Sequence, residues 1–334
     1  MALGKEQMKL LYRNLVRADH FDKMMMNRIM QGKLIGFYHP GDGAMAAGVG
    51  ASTFLGDNDI LNPHHRAHGL GYAAGRGVDV GRYLAEHTGK VDGCCGGRSS
   101  FHWSFPEKKL YGASGFSGGP FCPVVGWGWA CKRKGNQMVL MASGDGSYGQ
   151  GGAHEAMLFA MNWKLPIVFF CENNGMAIHS TISDMHPMPD ISSLAQGYGM
   201  PAVVIDGQDV FAVAETVIAA REHALAGKGP TFVEAKTLRL REHDVGTPDL
   251  ARAEPREAAY LEELKKRDPV VLATTRVLAE KVLTRKQIDK IYQEAKEEVA
   301  AIEKFADESP VAQPSIEELL AGVYVAWVEE SPCE

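Results

Sequence analysis

Apolar residues at Met8, Leu11, Leu15 and Phe21 recur at helical spacing, so the N-terminal segment predicts an amphipathic helix. From there to about residue 60 the chain reads as looped. Residues 61–135 are rich in Gly, His and aromatic side chains and keep no period, which reads as irregular loops around one or two helices. From 136 to 240 the pattern alternates. Residues 137–143 (QMVLMAS), 166–172 (PIVFFCE), 202–206 (AVVID) and 231–240 (TFVEAKTLRL) are short β runs. Residues 151–163 and 210–227 have helical spacing, the second ending at a glycine suited to a helix C-terminus. Strands alternating with helices predict a parallel sheet with crossover helices, an α/β fold. Beyond about residue 253 the sequence is charged and helical, as two or three packing helices with solvated charged faces. The expected organisation is one α/β unit over residues 1–252 with a helical extension over 253–334 packed on it.

Composition narrows the function classes. The 334 residues are 45% hydrophobic, enough for a large core. A formal net charge of -6 gives no support to a nucleic-acid surface. No apolar run reaches the ~18 residues needed to span a bilayer. The N-terminus lacks the pattern of a signal peptide, and Glu6, Asp19 and Asp22 argue against a transit peptide, so a cytoplasmic protein is expected. The cysteines are Cys94, Cys95, Cys122, Cys131, Cys171 and Cys333, with no CxxC pair. They read as reduced thiols, and the adjacent Cys94 and Cys95 are poorly placed to share one zinc.

The candidate chemistry lies at two strand ends. Asp145 follows the run ending at Ser143, and Asn174 follows the run ending at Glu172. In open parallel sheets ligands sit beyond the carboxyl ends of the strands, so both side chains should emerge side by side on one rim. A carboxylate, a carboxamide and nearby backbone carbonyls form a hard, incomplete oxygen shell that suits Mg²⁺. The glycines beside Asp145 and the helix starting near Gly151 suit a phosphate. A Mg²⁺-diphosphate site is therefore predicted, and without GxxxxGK[ST] it is not a P-loop. Either cluster alone reads as a turn; the pair on successive strands is what points to a site. The Gly pattern at 146–152 is not GxGxxG, which argues against a Rossmann dehydrogenase.

Gly144-Asp145-Gly146, 26 residues, then Asn173-Asn174 resembles the thiamine-diphosphate motif. The longer stretch NWKLPIVFFCENNGMAIHS, with HRAHGLGYAAG (65–75), HTGKVDGCCGGRSSFHW (87–103), LYGASGFSGGPFCPVVGWGWACKRKG (110–135) and TLRLREHDVGTPDLAR (237–252), closely resembles one family. That family is the α subunits of the E1 component of 2-oxo acid dehydrogenase complexes and of acetoin dehydrogenase. The resemblance covers about residues 25–325 and implies the thiamin-diphosphate-binding fold.

The resemblance implies roles. Asp145, Asn174 and the Met176 carbonyl would bind Mg²⁺; Gly146 and Ser147 would meet the diphosphate through backbone N–H groups; and Arg66 would pair with it. His65 stands where relatives commonly have tyrosine, and Gly115 and Ser117 align with positions contacting the aminopyrimidine. Phe116 and Ser117 replace aliphatic residues. His243 matches the second histidine of the family's HGH loop and is a catalytic candidate, with His68 and His102 as weaker ones. Arg241 and Glu242 replace the first histidine and the glycine of that loop, and Asp244 replaces a serine phosphorylated in mitochondrial relatives. Gly41-Asp42-Gly43-Ala44 replaces Gly-Gln-Glu-Ala in a shortened loop near the substrate.

The chain has one sheet-forming segment of the required kind, so the resemblance also implies a β subunit carrying the pyrimidine-binding domain, in an α2β2 heterotetramer. The expected activity is thiamine-diphosphate-dependent decarboxylation of a 2-oxo acid, or cleavage of acetoin, with acyl transfer to a lipoyl-domain acyltransferase. Two other readings stand beside it. One is an acyl-transferring or carboligating enzyme of specialised metabolism without a lipoyl complex. The other is a silent assembly subunit, which the intact Asp145, Asn174, Arg66 and His243 oppose.

Overall fold

The first apolar period does form a helix, α1 (Lys5–Met30), with Leu11, Leu15 and Phe21 fully buried. The computed structural model describes residues 2–34, 36–112, 114–247, 256–321 and 323, so Cys333 and residues 248–255 lie outside the described residues. The segment after α1 contains a second helix, α2 (Met45–Thr53), which the apolar pattern does not reveal. Its residues Met45 to Ser52 are all buried, so it has no polar face and no amphipathic period to read.

Residues 61–135 hold more order than their sequence suggests. They contribute α3 (Leu70–Arg76), α4 (Val80–His87) and α5 (Phe121–Lys134), with strands β1 (Ile60–Asn62), β2 (Ser104–Phe105) and β3 (Leu110–Tyr111). Strands of two or three residues are too short to show an alternation. Further on, β4 (Val139–Gly144), α6 (Gly151–Asn162), β5 (Ile167–Asn173), β8 (Ala202–Asp206), α9 (Val210–Leu225) and β9 (Thr231–Lys236) follow the expected order. Between them lie a two-stranded hairpin, β6 (Met176–Ala177) with β7 (Ser180–Thr181), and the short helices α7 (Ile182–Met185) and α8 (Ser192–Gly197).

One boundary is corrected. The last strand was expected to reach residue 240, but it leaves the sheet after Lys236. Thr237 N–H makes the final bond, to Asn173 O at 2.8 Å, and Arg239 then turns inward, its Nη1 donating to Ile178 O at 2.8 Å. That inward turn carries the chain over the sheet rim towards His243.

The sheet has seven strands in the order β2-β3-β1-β4-β5-β9-β8, parallel throughout except for the β2–β3 pair. Its two faces feed two cores, and the pleat sorts the side chains between them. Val139 and Met141 of β4, with Ile167 and Phe169 of β5, pack on one face with α5, α6 and α8. Leu140, Ala142, Val168 and Phe170 pack on the other, with α1, α2, α3 and α9. The helices Pro269–Ala279 and Arg285–Glu308 bring Val277, Ile288 and Ala295 into that second core, so the charged tail packs on the α/β unit through a narrow apolar stripe. No helix among the described residues is long and apolar enough to cross a membrane.

Candidate active site

Asp145 and Asn174 do share a rim. β4 and β5 run parallel with Gly144 opposite Glu172, so the residues just beyond both strands emerge together. They line one cavity of about 550 Å³. Gly146, Ser147 and Met176 join them there, and so do His65, Arg66, Gly115, Ser117 and His243 from loops far apart in sequence. A groove of about 570 Å³ beside the end of α1 is slightly larger, but lacks this set of oxygen donors.

Asp145 and Asn174 are held from behind. Asp145 is 2% exposed, and its Oδ2 is buried with no hydrogen-bond partner. Burial pushes its pKa up, against the pull of His64 and Arg66. A buried carboxylate oxygen without a partner is costly unless a cation meets it, so this atom fits a metal ligand. His186, a buried residue after α7, approaches the Asp145 carbonyl with Nε2 at 3.2 Å and fixes the turn. Asn173 is locked away: its Nδ2 donates to the fully buried Glu234 at 2.7 Å, and its Oδ1 accepts from Gly175 N–H at 2.9 Å. Asn174 is thereby left at the cavity, its Oδ1 accepting from Met176 N–H at 3.1 Å. One lone pair of that oxygen is taken, and the second is available to a cation.

The glycines of the GDG turn are required by packing. A Cβ on Gly146 would lie 2.6 Å from the Cβ of Ala177, and one on Gly144 2.9 Å from His64 Nε2. Gly146→Ala is therefore expected to destabilise the protein by about 1–3 kcal/mol, as overpacking does, and to weaken diphosphate binding by displacing the turn. Urea unfolding and titration calorimetry on the same variant test both effects. An unchanged midpoint would show that the turn relaxes freely.

Arg66 brings a positive charge to the cavity wall. It sits in a short 3₁₀ turn, 6% exposed, with Nη1 donating to Pro40 O at 3.1 Å and His243 O at 3.3 Å. Its Nη2 faces His243 Nδ1 at 3.3 Å, and Nε is buried without a partner. Burial lowers its pKa to about 10, so it stays charged at neutral pH. The imidazoles respond oppositely. Burial, with the neighbouring cations, lowers His243 to about 3 and His65 well below the usual histidine range. The wall is thus one of fixed guanidinium charge and neutral imidazoles. Among charged groups it favours an anion.

The other predicted residues are placed less directly. His68 is not part of the cavity wall: it is 1% exposed, and lies behind His39. His102 accepts from Gly115 N–H at 3.2 Å through Nε2, so it holds the Gly115 loop. Arg241 Nε donates to Asp42 at 2.6 Å, joining the two loops whose sequences depart from the family pattern. Cys94 and Cys95 do lie close to Glu86, but that carboxylate already accepts from the N–H groups of Cys95, Gly97 and Ser99 and from the Ser99 hydroxyl. It serves as the anchor of its loop.

Several site residues escaped the sequence reading. His39, His64, Phe37 and Phe101 line the cavity, and His186 and Glu234 support it. The HHRAHG and FYHPGDG segments offered a signal, since both concentrate histidine beside loops already under suspicion. Beneath them, Asp22 accepts from Tyr38 Oη at 2.6 Å and Gly41 N–H at 2.8 Å. Burial, then the nearby Asp42, push its pKa up to about 7 from 3.8. The folded protein therefore holds a proton that the unfolded chain releases, and the stability of the cofactor-free protein should fall as pH rises from about 4 to 7. Asp22→Asn should flatten that slope in urea unfolding followed across this pH window. An unaltered slope would mean Asp22 is ionised in the fold.

Comparisons with known proteins bear on the whole chain. The family described as "Dehydrogenase E1 component" matches residues 13–315. The chain is 31% identical over 329 residues to the alpha subunit of acetoin:2,6-dichlorophenolindophenol oxidoreductase of Bacillus subtilis, covering 98% of this chain and 96% of that one. It is 33% identical over 332 residues to the corresponding subunit of Cupriavidus necator, covering 98% and 97%. It is also 31% identical over 334 residues to the chloroplastic pyruvate dehydrogenase E1 component subunit alpha-3 of Oryza sativa subsp. japonica, covering 97% and 77%.

Proposed function

The chain belongs to the dehydrogenase E1 component family, and from that premise we propose that Asp145, Asn174 and the Met176 carbonyl hold Mg²⁺ against the diphosphate of thiamine diphosphate at this cavity. The protein is an E1-type alpha subunit, a thiamine-diphosphate-dependent oxidoreductase acting on a 2-oxo acid or on acetoin. The single observation that carries the site is the pairing, in one wall, of a buried carboxylate oxygen and a buried guanidinium nitrogen that both lack partners, Asp145 Oδ2 and Arg66 Nε. One asks for a cation and the other for an anion, as a magnesium diphosphate offers.

When bound, thiamine diphosphate supplies the nucleophilic carbon and the electron sink for breaking a bond beside a carbonyl. The rest falls to the protein. Gly146 and Ser147 present backbone N–H groups to phosphate oxygens, and Arg66 neutralises them. His243 handles protons near the substrate: its Nδ1 faces Arg66, a donor only, so a neutral ring carries its proton on Nε2. Phe37 and Phe101 give the cavity an apolar side that limits water.

An alpha subunit of this family pairs with a beta subunit. The proposal places the carboxylate that activates the cofactor on that partner, in an α2β2 heterotetramer. The described residues supply one large sheet and no second one of similar size, which supports the division. Transfer to a lipoyl-domain acyltransferase and a cytoplasmic location belong to the same proposal. The free thiols of the five described cysteines support the latter. The Arg241–Asp42 bridge favours a second reading, in which the acyl group goes to a small acceptor and no lipoyl complex takes part.

The test is calorimetric titration of thiamine diphosphate with Mg²⁺ into the chain alone and into its complex with the beta subunit. It is paired with reduction of 2,6-dichlorophenolindophenol by 2-oxo acids or acetoin, and with acylation of a lipoyl domain. Binding and dye reduction that need both the partner and Mg²⁺ support the site. No binding in either preparation would overturn it. Dye reduction without lipoyl acylation would select the second reading.

A further inference from the structure

A line of three imidazoles runs from α4 into the cavity wall. Tyr83 O lies 3.1 Å from His87 Nδ1. His87 Nε2 faces His68 Nδ1 at 3.3 Å, and His68 Nε2 faces His39 Nδ1 at 3.1 Å. His39 lines the cavity, its ring 4.7 Å from that of His243. His68 is set in this line by unusual backbone: Ala67 and His68 both have left-handed φ, 52° and 45°. Ala67 N–H donates to His39 O at 2.8 Å, and Trp103 Nε1 donates to His68 O at 2.9 Å. Consecutive non-glycine residues in that region persist only where their surroundings hold them, which marks the geometry as built.

Protons in this line have one consistent arrangement. A neutral imidazole has one N–H and one lone pair. Tyr83 O can only accept, so His87 carries its proton on Nδ1 and offers a lone pair at Nε2. His68 Nδ1 must then donate, leaving a lone pair on its Nε2. A second contact reaches the same assignment independently: the backbone N–H of His39, a donor only, points at His68 Nε2 at 3.4 Å. His39 Nδ1 therefore also donates, and its lone pair lies on Nε2, which has no hydrogen-bond partner among the described residues. Burial, which depresses all three imidazoles, keeps them neutral.

We propose that His87 and His68 are positioning residues that hold His39 as the Nδ1–H tautomer, so that its Nε2 is the proton acceptor of the cavity beside the Nε2–H donor of His243. The two ring edges then have opposite polarity, set by different anchors: Tyr83 O through two imidazoles on one side, and the Arg66 guanidinium on the other. A carbonyl substrate meets a donor for its oxygen and an acceptor for an adjacent O–H or C–H in one site. The placement of substrate there rests on the function proposed above; the tautomers do not.

The test uses the full chain in complex with its beta subunit, free of cofactor and labelled with ¹⁵N-histidine. Long-range ¹H–¹⁵N correlation distinguishes Nδ1–H from Nε2–H rings, with His39→Gln and His68→Gln assigning the signals. Wild-type His39 and His68 should both show the Nδ1–H pattern. His87→Leu leaves only the 3.4 Å contact from the His39 backbone N–H to hold the lone pair on His68 Nε2, so both rings should move partway towards Nε2–H. In the loaded enzyme it should lower kcat on the order of tenfold, with KM changed less than about twofold. His87→Gln, whose Oε1 accepts in place of the ring nitrogen, should return both readouts towards wild type. An Nε2–H pattern for His39 in the wild type, or unchanged tautomers in His87→Leu, would overturn the proposal. Should His87→Leu fail to fold, the wild-type and His87→Gln spectra still decide it. Because the spectra need neither cofactor nor substrate, this inference and the cofactor assignment can fail separately.

Discussion

Asp145→Asn should weaken binding of thiamine diphosphate with Mg²⁺ by more than about 100-fold, beyond the loss typical of a residue that only supports a metal ligand. Turnover should fall below detection. The reason is the unpartnered Oδ2: it is buried, and the carboxamide that replaces the carboxylate brings no negative charge to the metal. The same argument gives the opposite sign for the cofactor-free protein. There the carboxylate is penalised by burial, so the variant should melt no lower than wild type and even somewhat higher. With cofactor at about 100 times its Kd, wild type gains about 2.7 kcal/mol of stability, and the variant should gain almost none. Thermal melts with and without cofactor and Mg²⁺ read both effects. A variant that still gains stability from the cofactor would show that Asp145 is not a metal ligand.

Arg66→Lys should be nearly as damaging, although it keeps the charge. The guanidinium spans Pro40 O, His243 O and His243 Nδ1, and leaves Nε for an anion. An ammonium has one nitrogen and cannot reach all of these. Each carbonyl left buried without a donor costs about 1–3 kcal/mol, so the variant should lose stability even without cofactor. Its affinity for the diphosphate should fall on the order of 100-fold, because an ammonium drawn to these partners has no counterpart to the Nε–H left for the anion. The two substitutions therefore separate by their cofactor-free behaviour: Asp145→Asn keeps or raises stability, and Arg66→Lys lowers it. Urea unfolding of both proteins makes the comparison. Unchanged stability in Arg66→Lys would mean that its carbonyl partners find other donors.

The divergent loops at Asp42 and Arg241 are consistent with each other in the fold. Two positions that each depart from the family pattern form one ion pair at 2.6 Å. Neither residue lines the cavity; Arg241 lines the neighbouring groove beside the end of α1.

The sequence by itself determined the parallel sheet, the order β4-α6-β5 and β8-α9-β9, and the meeting of Asp145 with Asn174 at one rim. These follow from local periodicity: strands repeat every two residues, helices every 3.6, and a parallel sheet puts successive strand ends on one side. The sequence did not determine α2, which is buried all round from Met45 to Ser52 and so shows no amphipathic period, or the short strands among the glycines. It also did not determine which histidines reach the cavity. Only the tertiary structure brings His39 and His243 within 4.7 Å, sets His68 behind the wall and gives His186 to the turn at Asp145. The physical reason is that loop encounters depend on how helices pack over the sheet and on which buried donors and acceptors must find partners. Those constraints act between residues remote in sequence and leave no repeating pattern along the chain.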